Sequence, residues 1–144
     1  MHLREIMTTD VEVIQPESPV TEAARRMKSL DVGALPVCDG RGLLGMITDR
    51  DITVRATAEG RDPDTTLVRD CMSPEIVYCF EDQDPKEAER IMQEKQIRRL
   101  PVLTREKQLA GIVALGDLAT KTGDAQQVGR TVREVSQPST GTAG

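Results

Sequence analysis

The chain repeats itself, and the repeat constrains its fold more than any other feature. A shift of 65 positions lays Leu3-Arg4-Glu5-Ile6-Met7-Thr8 over Val68-Arg69-Asp70-Cys71-Met72-Ser73. The same shift pairs Glu22, Ala23, Arg25 and Met27 with Glu87, Ala88, Arg90 and Met92, and Leu35-Pro36-Val37 with Leu100-Pro101-Val102. One extra residue in the second copy then brings Gly45 onto Gly111, Ile47 onto Val113 and Asp51 onto Asp117. So many landmarks in one order, with a single gap, mark a duplication. Isolated copies of about 60 residues would be marginal, whereas a chain of 144 residues can bury enough surface to fold unaided, so the halves are expected to pack as one unit.

Each copy reads as strand, helix, two strands, helix. In the first, Val11-Glu12-Val13-Ile14 is a short strand candidate, and Ser18-Pro19 reads as an N-cap followed by the first helical residue. Val20, Ala23, Ala24, Met27 and Leu30 then recur at helical spacing and make one apolar face. In the second copy Asp84-Pro85-Lys86-Glu87 supplies the same start with a capping box, and the face runs Ala88, Ile91, Met92. After each helix an apolar strand ends in Leu-Pro-Val. A polar turn and a second apolar strand follow, over 43–47 and 109–113, which predicts a hairpin in each copy. Closing helices are expected over 49–59 and 115–121. Residues 57–66 read as the linker.

The expected layout is a first repeat over 1–60, a second with its lead-in over 61–124, and a C-terminal tail over 125–144. Residues 136–144 are rich in Ser, Thr, Gly and Pro, with nothing to bury. Within the tail, Thr131-Val132-Arg133-Glu134-Val135 briefly echoes the lead-in and is compatible with a returning helix.

Composition excludes several function classes. Net charge is -5 with the signs interspersed, as expected of a soluble protein and not of a polyanion binder. Tyr78 and Phe80 are the only aromatics, too few for a single-strand stacking platform, so no nucleic-acid partner is expected. No apolar run approaches a membrane span, and Met1-His2-Leu3-Arg4-Glu5 lacks the apolar stretch of a signal peptide. Cys38, Cys71 and Cys79 are an odd set without CxxC spacing, which suits a reducing cytoplasm and buried thiols better than a zinc site completed by His2.

The order of these strings resembles the cystathionine-β-synthase-type (CBS) domain family over roughly residues 3 to 122. The strongest string is Gly45-Met46-Ile47-Thr48-Asp49-Arg50-Asp51-Ile52. The resemblance implies an α/β (α+β) fold of two βαββα repeats packed sheet to sheet with pseudo-two-fold symmetry. It further implies a homodimer, no catalytic machinery, and regulatory sensing of AMP, ADP, ATP or another adenosyl ligand held between the repeats, with no obligatory cofactor. An unidentified effector protein would receive the signal.

A strand ending at Ile47 presents Thr48 at a helix start, where hydroxyl and backbone N–H groups favour anions. Asp51, three residues on, lies on the same side, and a carboxylate can accept from both ribose hydroxyls. The resemblance gives Asp51 the ribose and Thr48 the ribose or phosphate; the structural alternative is an N-cap and a first-turn charge. In the second copy only Asp117 survives, with Ala114 in place of Thr48 and Gly116 in place of Arg50. Arg98 and Arg99, expected on a strand, are phosphate candidates by resemblance, with Arg50 a further one. Val11, Val13 and Val37 are the candidate adenine lining.

Two other function classes compete with the sensor. One is a ligand-independent interaction module acting on an enzyme or transporter. The other is an enzyme, for which a single His at position 2 and the lack of GxGxxG, Walker or HExxH strings offer little.

Overall fold

The computed structural model describes residues 1–74, 77–122 and 125–137, and over 125–128 the backbone alone. The chain forms two compact units. One comprises Glu12–Ile76; the other comprises Met1–Val11 with Val77–Gly144.

The first-repeat unit contains α1 (Val20–Leu30), β1 (Ala34–Asp39), β2 (Gly42–Thr48), α2 (Asp49–Ile52, continuing through a π-helical turn at Thr53–Thr57) and α3 (Val68–Cys71). β1 and β2 form the expected antiparallel hairpin, from Ala34 opposite Thr48 to Asp39 opposite Gly42, with a register shift between Val37 and Cys38. Ile14 makes a single parallel bridge to Val37, and the strand expected over 11–14 reduces to that contact. Its core is Ile14, Val20, Ala23, Met27, Leu35, Val37, Ile47, Ala56, Val68 and Cys71.

Two sequence expectations about α1 need correction. Its buried stripe is Val20, Ala23 and Met27, while Ala24 and Leu30 face outward, because three side chains fill the space above the hairpin. Ser18 does not cap the helix with its side chain. The Val20 N–H donates instead to the Thr66 carbonyl at 2.9 Å, and the Thr21 N–H to the Pro63 carbonyl at 3.1 Å. The linker thus supplies acceptors for N–H groups that a helix start leaves unpaired.

The second unit contains a 3₁₀ turn (Leu3–Glu5), β3 (Cys79–Phe80), α4 (Pro85–Lys95), β4 (Arg99–Leu103), β5 (Leu109–Ala114), α5 (Leu115–Lys121) and α6 (Ala125–Val135). β3 runs parallel to β4, and β4 pairs antiparallel with β5, with a register shift between Val102 and Leu103 that matches the one after Val37. Leu3, Ile6, Cys79, Ala88, Met92, Leu100, Val102, Val113, Leu118 and Val135 form its core. Asp84 caps α4 by accepting the Lys86 N–H at 2.9 Å. The predicted capping box does not close, because the Glu87 carboxylate turns to the Arg90 guanidinium.

The units do not follow the repeats. Lead-in residues 1–11 pack with the second-copy hairpin, where Thr8 bridges Ile112; Val68–Cys71 and Ser73 pack with the first-copy hairpin, where Ser73 bridges Met46. Each β2-type strand therefore takes its outer edge from the lead-in of the other copy. Residues 125–137, placed within the C-terminal tail, include a helix of the kind the echo over 131–135 allowed: α6 packs against α4 and α5, with Thr131 and Val135 buried. The remainder of that tail, 138–144, lies outside the described residues. Among the described residues no helix is long and apolar enough to cross a membrane.

Candidate functional site

Thr48 closes β2 and is the N-cap of α2. Its Oγ1 accepts the Asp51 N–H at 3.0 Å, and its own N–H donates to Asp51 Oδ2 at 2.9 Å. This reciprocal capping box follows from the three-residue spacing and satisfies two backbone donors that the helix start would otherwise leave open. The Asp49 N–H donates to the Gly33 carbonyl at 2.9 Å and ties the turn to the start of β1.

The capping role does not exhaust the pair. Both residues are half-buried, and among the described residues Asp51 forms no ion pair and Oδ1 takes no hydrogen bond. A carboxylate oxygen therefore remains beside a hydroxyl that keeps its donor. Arg50 is exposed on the same turn.

The aligned turn of the second unit differs. Asp117 Oδ2 accepts the Ala114 N–H at 2.9 Å, repeating the backbone half of the box, but Ala114 offers no hydroxyl. Lys121 Nζ lies 3.2 Å from Asp117 Oδ1 and donates to the Ile6 carbonyl at 3.2 Å. Both carboxylate oxygens are engaged, so Asp117 is not the open counterpart of Asp51.

Other expected site residues fall as follows. The structure brings Thr48, Arg50 and Asp51 onto one turn, whereas Val11, Arg98, Arg99 and Asp117 belong to the other unit. Arg98 precedes β4 instead of lying on it, because the strand starts at Arg99, and its guanidinium donates to Ser136 Oγ at 3.2 Å. Arg99 is exposed. Val11 and Val13 are half-buried, and the Val13 carbonyl accepts from the Arg26 guanidinium. Val37 is 0% exposed inside the hairpin core, so its side chain serves packing and not a ligand surface.

The residues missed by sequence reasoning are Arg55 and Lys121, each four positions after its aspartate, a spacing that sets side chains together on a helix. Arg55 Nη1 donates to the Cys71 and Met72 carbonyls, both at 3.0 Å. In the second unit Tyr78 stands where the first copy has Val13. Its ring meets Phe80 edge-on with 5.5 Å between centroids. The Arg105 guanidinium sits 4.2 Å above Phe80 and holds the Asp82 carboxyl below its ordinary range through a direct hydrogen bond.

Cys38, Cys71 and Cys79 are free thiols. Burial raises all three, Cys79 up to about 12. Among the described residues no three His, Cys, Asp or Glu side chains are grouped to hold a metal ion.

The CBS-domain family model matches residues 3–56 and again 68–122. The chain belongs to the CBS-domain family. As a CBS pair it is 41% identical over 134 residues to the CBS domain-containing protein YhcV of Bacillus subtilis, covering 93% of this chain and 94% of that one. It is 38% identical over 117 residues to hypoxic response protein 1 of Mycobacterium tuberculosis, covering 81% of each. A crystal structure of Hypoxic Response Protein I with two coordinated zinc ions matches with a TM-score of 0.78 at 36% identity, covering 84% of this CBS pair and 98% of that chain. A hexameric CBS-CP12 protein from bloom-forming cyanobacteria matches with a TM-score of 0.73 at 28% identity, covering 86% and 72%.

Proposed function

We propose that this CBS pair is a regulatory module that binds an adenosine-bearing ligand at the first repeat and passes its occupancy to a partner protein. The observation that carries this reading is the uncommitted Oδ1 of Asp51 beside the Thr48 hydroxyl. In this reading the Asp51 carboxylate takes ribose hydroxyls, Thr48 donates to ribose or phosphate, and Arg50 adds positive charge for phosphate. Val13, on the same unit, is the candidate adenine lining.

The same geometry favours binding over catalysis. Asp51 bonds the Thr48 backbone N–H and not its hydroxyl, so no base activates that oxygen as a nucleophile. Three free thiols accord with a cytoplasmic setting, and the hexameric relative supports self-association, with a homodimer as the simplest form.

Thermal denaturation with AMP, ADP, ATP, S-adenosylmethionine and NAD tests the reading. A ligand at 100 times its dissociation constant stabilises the fold by about 2.7 kcal/mol, which should read as an upward shift in Tm. No shift with any of the five at millimolar concentration contradicts it, and ligand-independent docking on an enzyme or transporter then becomes the better description.

A further inference from the structure

We propose that Lys121 is a built-in occupant of the second repeat's ligand position, so that each chain takes one adenosine-bearing ligand, at Asp51, and none at Asp117. The inference rests on the ligand reading above and adds its stoichiometry and the residue that sets it.

The two copies carry the same pair of parts, an acid at the helix start and a cation one turn later: Asp51 with Arg55, Asp117 with Lys121. Each cation also reaches the end of the adjacent lead-in turn, Arg55 at Cys71 and Met72, Lys121 at Ile6. The difference lies in where each cation is directed. Arg55 Nη1 donates to two carbonyls, both at 3.0 Å, and the guanidinium forms no ion pair with Asp51. The Lys121 ammonium donates to the Ile6 carbonyl and also lies 3.2 Å from Asp117 Oδ1 as an ion pair.

An exposed ion pair one turn apart on a helix is weak by itself and would yield to a ligand. Three observations strengthen this one. The Asp117 side chain is only 17% exposed, against 46% for Lys121. The Ile6 carbonyl pins the ammonium from its other side. Ala114 cannot repay a displaced lysine with the hydroxyl that Thr48 offers, so a ribose there would cost an ion pair and gain one partner fewer.

Isothermal titration of the full chain with AMP reads this directly. The expected result is one site per chain, unchanged by Asp117→Ala and weakened roughly 10-fold to 100-fold by Asp51→Ala, as for loss of a charged hydrogen bond. Lys121→Arg, which transfers the Arg55 arrangement, and Lys121→Met, which removes the cation, should each add a second, weaker site, tightened when Ala114→Thr is combined with either. Two sites in the unaltered chain, or one site lost with Asp117→Ala and kept with Asp51→Ala, would overturn the inference while leaving nucleotide binding intact. No second site in either Lys121 variant overturns the role given to that lysine. No binding to the unaltered chain by AMP, ADP, ATP, S-adenosylmethionine or NAD, each titrated in the same way, overturns the ligand reading itself, and the inference with it.

Discussion

The Lys121 ammonium lies 3.2 Å from the Asp117 carboxylate, and the aligned Arg55 and Asp51 form no such bridge. Duplication has therefore kept the scaffold of both turns while altering what their acids can do. The backbone half of the cap, N–H to Oδ2 at 2.9 Å, is the same in each. What separates them is one hydroxyl and the carboxylate contact that Lys121 makes and Arg55 does not.

The exchange of lead-ins makes a prediction at two glycines. A Cβ on Gly45 would sit 2.3 Å from the Ser73 carbonyl oxygen, and one on Gly111 would sit 2.5 Å from that of Thr8. Backbone atoms cannot swing aside as a side chain would. Gly45→Ala and Gly111→Ala should each cost about 1–3 kcal/mol by forcing the lead-in off its strand edge, read by urea denaturation. A neutral result at both would mean that the lead-ins are not seated where Ser73 and Thr8 bridge the hairpins.

The starts of α1 and α4 separate real caps from apparent ones. Ser18→Ala should change stability by less than about 0.5 kcal/mol, since the linker carbonyls already serve α1. Asp84→Ala should cost about 1 kcal/mol, because its carboxylate accepts the Lys86 N–H. The reverse order in thermal melts would contradict this assignment.

Residues 125–137 are predicted to be structural. Val135, 6% exposed, fills the second core, and Thr131 accepts from Gln93 Nε2 at 2.8 Å. Val135→Ala should cost about 1–2 kcal/mol, and removal of 125–144 should lower Tm further. A truncated chain as stable as the full one would show that α6 contributes nothing to the fold.

Burial holds the Cys79 thiol near 12 against an ordinary value of 9.0. The folded state keeps this proton longer than the unfolded state, so the contribution of Cys79 to stability is constant below pH 9 and falls as pH rises toward 12. Stability measured from pH 7 to 11 should show that decline, and Cys79→Ala should lessen it, with the raised Cys38 and Cys71 thiols leaving a remainder. At pH 8, Ellman's reagent should modify half-buried Cys38 well before Cys79. Equal rates would contradict the burial.

How far the sequence revealed this structure follows from what a repeat can encode. Leu35-Pro36-Val37 laid on Leu100-Pro101-Val102 identified both hairpins, while the matching register shifts after the valines emerge only in the structure. The spacing of Thr48 and Asp51 identified the capped turn, because i and i+3 share a helix side. Self-similarity states which segments are equivalent, not which copy each packs with, so the exchange of lead-ins was invisible. Ala24 and Leu30 looked buried because periodicity sets a direction and not the width of the contact. Asp117 was a candidate by identity in a copy that lacks the hydroxyl and the arginine of the first; the lysine four residues later, also in plain view, lies 3.2 Å from its carboxylate.

The central claim is that Thr48 and Asp51 grip a ribose. Titrating AMP into isotope-labelled protein and following backbone amides by NMR tests it most directly. The account predicts saturable shifts at the Thr48 and Asp51 amides, contacts from them to ribose protons, and a roughly 10-fold to 100-fold higher AMP concentration for half-saturation in Asp51→Ala. If AMP moves neither amide at millimolar concentration, or if that variant titrates at the same concentration as the unaltered chain, the claim is contradicted.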